Sequence, residues 1–349
     1  MSKKSVEQLL INRVSANKKL VKRGIGLSLA SDEGLITNID SFTHSGSFDI
    51  DSIMGGGYPS GRLVEISGEE SSGKTTLVLL AIANAQKEGD IVVLIEPESS
   101  LDTVYARKIG VDLNKLLVSN PDTVEEVFHI IFDIIKLVKE TESDRRVVIV
   151  WDSVASTSTE GEMEGKELPA KHARYISQEL RKVVRLISRE KVVLIFTNQV
   201  KDRINVMFGD KSTTFGGRAI KFHATIRLRL RVIGKIKVGK DAHSEIRGVM
   251  VAVKTIKNKI FPPFKEAIVN IIFGGGIDKV EDIFNVALKT GILKKKRKNS
   301  NIYVVPSTLD LKSKSIDSFK RSGFEKYLIN NKWLIKEVRK AVQGYVNNQ

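Results

Sequence analysis

Residues 68–75, with the sequence GEESSGKT, have the types and the spacing of a phosphate-binding loop. An apolar run at 63–67 precedes them and a helix-like segment at 75–88 follows, which is the setting that this chemistry needs. The glycines let successive backbone N–H groups turn toward phosphate oxygens, and the helix N-terminus adds partial positive charge. Lys74 is expected to reach the β- and γ-phosphates. The residues predicted to bind a nucleotide here are Gly68, Glu69, Glu70, Ser71, Ser72, Gly73, Lys74, Thr75 and Thr76.

Carboxylates follow two other apolar runs. The run at 147–151 ends at Asp152, which is expected to lie with the Thr75 hydroxyl on the Mg²⁺ side of the site, although an isolated Asp there fits a cap equally well. The run at 91–95 is followed by Glu96 and Glu98, at the sheet edge where α/β proteins bind ligands. Hydrolysis needs a group that positions or deprotonates water, and the residues alone do not choose between these two. The predicted cofactors are ATP and Mg²⁺, with Thr75 and Asp152 as the metal-side residues.

The elements that position these residues alternate along the chain. The candidate strands are apolar throughout rather than on alternate residues, which is typical of parallel strands covered by helices on both faces. The sequence therefore predicts an α/β fold with a mostly parallel sheet. After residue 219 the pattern becomes β-rich, and we expect antiparallel strands to extend the sheet at 224–233, 247–257 and 267–273.

Three domains are predicted. Residues 1–38 form an N-terminal helix and linker, residues 39–275 form the core, and residues 276–349 form a small basic α+β domain. The glycine run at 274–276 marks the second boundary.

Composition excludes several classes. The 349 residues contain no cysteine, so disulfides, thiolate metal sites and cysteine nucleophiles are excluded. No apolar run approaches the ~20 residues that cross a bilayer, and the start, MSKKSVEQLL, lacks the apolar region of a signal peptide. We expect a cytoplasmic protein without a membrane partner. The five histidines have no ligand spacing, so no structural metal site is expected.

The net charge of +16 is divided unevenly. Residues 31–200 carry −10, whereas residues 1–30, 201–260 and 261–349 carry +6, +11 and +9. Charge that served only solubility would not be expected to divide in this way. The pattern predicts a polyanionic partner, DNA, for the basic part of the chain.

Two predicted loops, 156–171 and 200–217, are candidates for contact with single-stranded DNA because long loops in compact domains are usually functional. Cations supply affinity for phosphates, and an aromatic residue supports the bases. The predicted contacts are Lys201, Arg203, Phe208 and Arg218, together with Arg174.

A second DNA is expected on the alternating strand 226–231, whose three guanidinium groups share one face without an evident counter-charge. The predicted contacts are Arg227, Arg229, Arg231 and Lys254, and a solvated strand face is the alternative. The basic run 294–298 fits either a guide for duplex DNA or a solvated turn.

Several segments resemble the bacterial RecA family of ATP-dependent strand-exchange recombinases. The similarity runs from about residue 47 to residue 276 and includes GRLVEISGEESSGKTTL, LDTVYARKIGV, SNPDTVEEV and TIKNKIFPPFKEA. The resemblance implies that Glu98 activates water and that Asp102 and Tyr105 hold adenine. It also implies that Ser153 joins Asp152 in the Mg²⁺ motif.

The resemblance further implies that Asn198 and Gln199 sense the γ-phosphate and pass its state to the second DNA loop. Lys257 and Lys259 would reach the γ-phosphate of a neighbouring subunit, and Phe222 would lie at that interface. The implied catalytic residues are Glu98, Lys74, Gln199, Lys257 and Lys259.

The resemblance implies a DNA-dependent ATPase that forms helical filaments on single-stranded DNA and exchanges strands with duplex DNA in recombination, repair and the SOS response. The N-terminal helix would dock on the adjacent protomer. Two alternatives are a helicase-like motor on the same fold and a nucleotide-gated regulatory assembly without strand exchange. The basic loop after Gln199 and the KNK sequence at 257–259 favour the filament.

The chain departs from the family pattern in places. Glu69 stands where many members have proline, Asp202 interrupts the basic run, and the first DNA loop is shorter. The sequence ends in AVQGYVNNQ rather than in an acidic tail, so easier loading on DNA is expected.

Overall fold

The computed structural model describes residues 5–19, 27, 39, 41–141, 144–165, 169–202, 212–238, 245–297, 299–305 and 318–347. Contacts divide the chain into two units, residues 1–40 and 41–349. The first unit contains helix α1 (Val6–Ser15). The predicted boundaries at 38 and 275 remain predictions.

The second unit alternates helices and strands. Its helices are α2 (Phe48–Met54), α3 (Lys74–Lys87), α4 (Thr103–Ile109), α5 (Val124–Thr141), α6 (Glu160–Met163), α7 (Pro169–Arg189), α8 (Gly217–His223), α9 (Lys279–Lys289), α10 (Phe324–Asn330) and α11 (Trp333–Asn347). Its strands are β1 (Phe42–Thr43), β2 (Tyr58–Pro59), β3 (Leu63–Gly68), β4 (Ile91–Ile95), β5 (Leu116–Ser119), β6 (Val147–Trp151), β7 (Val193–Asp202), β8 (Ser212–Thr214), β9 (Ile226–Val238), β10 (Glu245–Asn258), β11 (Glu266–Ile272), β12 (Gly276–Ile277), β13 (Lys294–Lys295), β14 (Ile302–Val304) and β15 (Ser318–Lys320). No helix in the described part of the chain combines the length and apolarity that spanning a bilayer requires.

Within the described residues, ten strands form a sheet at the centre of this unit. Its order is β12-β11-β10-β9-β3-β7-β6-β4-β5, and β8 pairs with β7 beside this path. The strands from β9 to β5 are parallel, so the prediction of a mostly parallel sheet is confirmed. The expectation that all β-rich segments after residue 219 are antiparallel is wrong for β9. This strand lies parallel to β3, and the antiparallel part begins at β10.

Apolar clusters cover both faces of the sheet. Helix α3 packs on one face, where Leu77, Ile82 and the strand residue Ile66 are fully buried. Helices α5 and α7 contribute to the other cluster, in which the Trp151 ring lies 4.9 Å from that of Phe196. Because both faces are covered, strand β6 is buried at every residue, which explains its continuous apolar sequence.

The C-terminal elements have a hydrophobic cluster of their own around Phe284, Phe324 and Leu334. Asp282 on α9 links this cluster to the core elements, since it accepts hydrogen bonds from the Ser47 hydroxyl (2.5 Å) and the Phe48 amide (2.7 Å) at the start of α2.

Candidate nucleotide and DNA site

The phosphate-binding loop follows β3 directly and opens helix α3. Gly73 has φ +91°, a left-handed conformation that favours glycine, and a Cβ atom there would displace the Ile271 Cδ1 methyl, which lies 2.4 Å from its position. The Lys74 ammonium lies over the loop and donates to the carbonyl oxygens of Gly68 (3.1 Å) and Glu69 (2.7 Å). Burial lowers the pKa of Lys74, and nearby Asp152 opposes this effect. The loop therefore has the backbone turn and the cation that a phosphate group requires.

Thr75 and Asp152 meet at the carboxyl end of the sheet, as predicted for the Mg²⁺ side. The Thr75 hydroxyl donates to Asp152 Oδ2 at 2.9 Å, and the Thr197 hydroxyl donates to Oδ1. Burial raises the pKa of Asp152, while these two hydrogen bonds lower it. A hydroxyl and a carboxylate at this distance are hard oxygen donors that fit an Mg²⁺ ion completed by phosphates and water. The neighbouring Ser153 hydroxyl lies 3.0 Å from that of Ser156.

The structure distinguishes the two carboxylates after β4. Glu96 is buried and accepts hydrogen bonds from the amide (2.9 Å) and the hydroxyl (3.0 Å) of Ser100, which closes the turn. Glu98 is exposed and makes no hydrogen bond within the described part of the chain. It lines a cavity of about 140 Å³ together with Thr75 and Asp152. Both carboxylates line this cavity, but Glu96 is buried and occupied by the turn, whereas Glu98 is exposed and has no hydrogen-bond partner among the described residues.

The predicted adenine contacts line the same cavity. Asp102 caps helix α4 by accepting a hydrogen bond from the Tyr105 amide (2.9 Å), and the Tyr105 hydroxyl lies 2.9 Å from that of Thr76. Tyr105 is thus tied to the first turn of α3, beside the phosphate loop.

Strand β7 touches the phosphate loop through Gln199. The Gln199 side-chain amide donates a hydrogen bond to the Glu70 carboxylate at 2.8 Å. Glu70 of the phosphate loop therefore contacts a residue that the resemblance selects as a γ-phosphate sensor. The preceding residue, Asn198, is fully buried and bonds to Glu65 and to the backbone of Phe215. The two amides that the resemblance selected therefore lie in different surroundings, one at the loop and one in the interior.

Lys257 and Lys259 lie away from this cavity. Lys257 on β10 pairs in register with Arg227 on β9, and Arg227 pairs with Glu65 on β3. Glu65 precedes the first residue of the phosphate loop by three positions. Lys257 therefore lies about 10 Å short of the loop along the strand direction. The Lys257 ammonium donates to the carbonyl oxygens of Lys221 (2.6 Å) and Phe222 (2.9 Å) at the end of α8. Burial, and then the charges of Lys259 and Arg227, lower the pKa of Lys257 to about 8. The Phe222 side chain is 69% exposed, so this end of the sheet presents an apolar residue to solvent.

Two of the candidate DNA contacts lie on helices that touch each other. A Cβ atom on Gly217 would lie 3.0 Å from Ala173 Cβ, so helices α7 and α8 meet beside the exposed Arg174 and Arg218. Arg203 and Phe208 lie outside the described residues. The backbone of Lys201 is in β7, opposite Thr213.

The prediction that the arginine face of β9 lacks a counter-charge is wrong at Arg227. Its strand lies between β3 and β10 rather than at a sheet edge, and the register places Arg227 opposite Glu65. The Arg227 guanidinium donates to the Glu65 carboxylate, and both residues are buried. Arg227 is therefore a buried ion-pair partner and not a contact for a second DNA. Arg229 is half-buried, while Arg231 and Lys254 are exposed.

Sequence reasoning missed Thr197 and Glu65. Both are polar residues inside apolar strand runs, and this position in the sequence could have identified each of them. A polar residue in a strand buried on both faces needs a partner, and Thr197 bonds to Asp152 while Glu65 bonds to Arg227 and Asn198.

A strand–loop–helix phosphate cradle, with a carboxylate on the metal side and an amide at the next strand end, defines a P-loop nucleotide-binding protein. The model of the RecA N-terminal domain family matches residues 11–278. Protein RecA of Thermotoga maritima is 42% identical over 298 residues, covering 84% of this chain and 80% of that protein. Protein RecA of Brucella suis is 45% identical over 255 residues, covering 72% and 68%. The chain belongs to the RecA family.

Membership confirms the prediction of a bacterial RecA-type recombinase that acts in recombination and DNA repair. The family is one of DNA-dependent ATPases, so the predicted class of enzyme is also confirmed at that level.

Proposed function

We propose that this chain hydrolyses ATP in response to single-stranded DNA, on which it assembles as a helical filament that pairs with homologous duplex DNA. One observation carries the proposal. Strand β7 contacts the phosphate loop through Gln199 and continues as residues 200–202 into the predicted DNA segment. A change of contact at Gln199 would therefore act on the segment that immediately follows it.

The residues around the cavity have distinct proposed roles. Lys74 and the loop amides bind phosphate oxygens, and Glu98 accepts a proton from the attacking water. Thr75 and Asp152 would hold Mg²⁺, which neutralises charge on the phosphates when bound. Tyr105 and Asp102 hold the adenine, and Gln199 reports the γ-phosphate.

Lys257 and Lys259 are proposed to complete the site of a neighbouring protomer. Their position short of their own phosphate loop supports action in trans, and the exposed Phe222 beside them supports an apolar contact there. Residues 1–38 are proposed to dock on the adjacent protomer.

The DNA contacts are proposed in two groups. Lys201, Arg203, Phe208, Arg218 and Arg174 serve single-stranded DNA, while Arg229, Arg231 and Lys254 serve the duplex. The basic domain at 276–349 is proposed to lie near the incoming duplex, and the protein to act in the cytoplasm.

The test is the ATPase rate with and without unstructured single-stranded DNA, with electron microscopy of the same samples. We expect DNA to stimulate hydrolysis and helical filaments to form with ATP. Binding of ATP without stimulation or filaments would support a regulatory assembly instead. Unwinding of duplex DNA by ring-shaped particles would support a helicase-like motor.

A further inference from the structure

A buried polar cluster connects the middle of strand β3 to the base of the β7–β8 hairpin. It consists of Glu65, Arg227 and Asn198, which are 0%, 9% and 0% exposed. The Arg227 guanidinium donates to one Glu65 oxygen, and the Asn198 amide donates to the other at 3.0 Å. The carboxylate is therefore held from two neighbouring strands at once.

The Asn198 side chain also binds the backbone of Phe215, the residue after β8. Its Nδ2 donates to the Phe215 carbonyl oxygen at 3.0 Å, and its Oδ1 accepts from the Phe215 amide at 3.2 Å. With Glu65 as the third partner, both amide hydrogens and the oxygen are used. A flipped amide would direct its oxygen at the Glu65 carboxylate as well as at the Phe215 carbonyl oxygen, so Glu65 and the Phe215 backbone select the same orientation.

The bonds between Asn198 and Phe215 lie beside the contact between β7 and the phosphate loop. Asn198 directly precedes Gln199, whose amide reaches Glu70 in the phosphate loop. Between Gln199 and Phe215 lie the paired ends of the hairpin, with Val200 opposite Thr214. Both ends of the predicted DNA segment are thus attached at one point, next to the residue that contacts the phosphate loop.

A purely stabilising role explains the cluster poorly. Buried ion pairs often contribute little net stability because both charges lose their hydration. In addition, Arg227 Nη2 is buried without a hydrogen-bond partner among the described residues, which adds a cost.

We infer that Glu65 and Arg227 are positioning residues that orient Asn198, close the base of the β7–β8 hairpin, and so couple the nucleotide site to the DNA segment. The inference rests on the proposed function for its effect on hydrolysis. The closure of the hairpin does not depend on that function and is measured separately.

Two neutral double variants separate positioning from stability. Glu65→Leu/Arg227→Met removes the buried charges and also the acceptor for Asn198. Glu65→Gln/Arg227→Gln removes the same charges but keeps an oxygen that accepts from Asn198. A matched control is Asp90→Leu/Arg146→Met, since Arg146 Nε donates to Asp90 Oδ1 (3.0 Å) between neighbouring strands at the opposite end of the sheet.

In the Leu/Met variant we expect faster hydrogen exchange in peptides covering residues 212–216. We also expect a loss of DNA stimulation of about fivefold, the low end of ordinary coupling between sites. Hydrolysis without DNA should stay within about twofold of the wild type, which is below one kcal/mol of barrier. The Gln/Gln variant and the Asp90/Arg146 control should keep both the exchange protection and the stimulation.

Several results would overturn the inference. These are wild-type protection at 212–216 in the Leu/Met variant, lost protection with full DNA stimulation, or equal losses in the Gln/Gln variant. If the Leu/Met variant does not fold, Asn198→Leu removes the amide that binds Phe215 while keeping the Glu65–Arg227 pair, and must show the same two losses. A wild-type protein without DNA stimulation would refute the proposed function, and the exchange experiment would still decide whether Glu65 closes the hairpin.

Discussion

The two ends of the central sheet use similar residues in different ways. At the carboxyl end, Thr75, Asp152 and Glu98 line one cavity beside the phosphate loop. At the amino end, Asp90 and Arg146 bond to each other, and Arg146 also donates to the Phe42 carbonyl oxygen at 3.0 Å. The exposed Glu98 carboxylate at the first end faces the cavity without a hydrogen-bond partner among the described residues, whereas Asp90 and Arg146 at the second end satisfy one another.

The amino end also carries the groups proposed to act on a neighbour. Lys257 bonds to the last carbonyl oxygens of α8, beside the exposed Phe222. The carboxyl end forms its cavity within one chain, while these residues are proposed to reach a γ-phosphate only through assembly. The difference between the two ends is therefore also one between residues proposed to act in cis and residues proposed to act in trans.

The largest expected effect is that of Glu98→Gln at the carboxyl end. Loss of the proposed general base should reduce ATP hydrolysis about 10³-fold, with and without DNA. Nucleotide binding should persist, because the phosphate loop is intact; titration with a fluorescent ATP analogue checks this. The matched Glu96→Gln variant should instead lower the melting temperature, since Glu96 closes the turn at Ser100. Equal catalytic losses in both variants would contradict the distinction between these carboxylates.

Lys74→Ala should reduce hydrolysis about 10²-fold, as expected for removal of one cation that stabilises transition-state charge. Unlike Glu98→Gln, it should also weaken nucleotide binding, because Lys74 lies over the loop itself. Isothermal titration of ATP and the hydrolysis rate together test this. Normal affinity would show that Lys74 does not contact the bound phosphates.

Lys257→Ala at the amino end should lower only the DNA-stimulated rate, about tenfold, the value of one charged hydrogen bond. The pKa of Lys257 is about 8, so the ammonium loses its proton as pH rises through that value. The stimulated rate of the wild type should fall above pH 8, and Lys257→Arg should move this fall to higher pH. A pH profile of the stimulated rate, with the DNA-independent rate as control, makes the measurement. An unchanged stimulated rate in Lys257→Ala would contradict the proposed role in trans.

The smallest catalytic effect is expected for Arg146→Met. It leaves Asp90 buried without its partner and should lower the free energy of unfolding by about 3 kcal/mol. The hydrolysis rate per folded molecule should not change, because the pair lies at the end opposite the cavity. Urea unfolding and the ATPase assay at 25 °C test the two statements. A catalytic loss without a stability loss would break the comparison between the two ends.

The local sequence was enough to predict the phosphate loop, the parallel strands and the position of Asp152 at a strand end, because each depends on neighbours within a few residues. The local sequence could not predict the pairing of Arg227 with Glu65, since the two residues are 162 positions apart and meet only because β9 lies beside β3. Alternation along β9 correctly grouped the three arginines on one face, but it gave no information on what that face packs against.

By itself, the sequence determined the nucleotide chemistry, the continuous burial of the strands and the division of charge between acidic and basic parts. These properties reside in residue type and short spacing, which the backbone converts directly into loops and strands. Only the tertiary structure decided that Glu96 closes a turn while Glu98 is left exposed at the cavity, that Thr197 supports Asp152, and that Arg227 pairs with Glu65 in the interior. Each of these depends on strand order, which places residues from distant parts of the chain within hydrogen-bond distance.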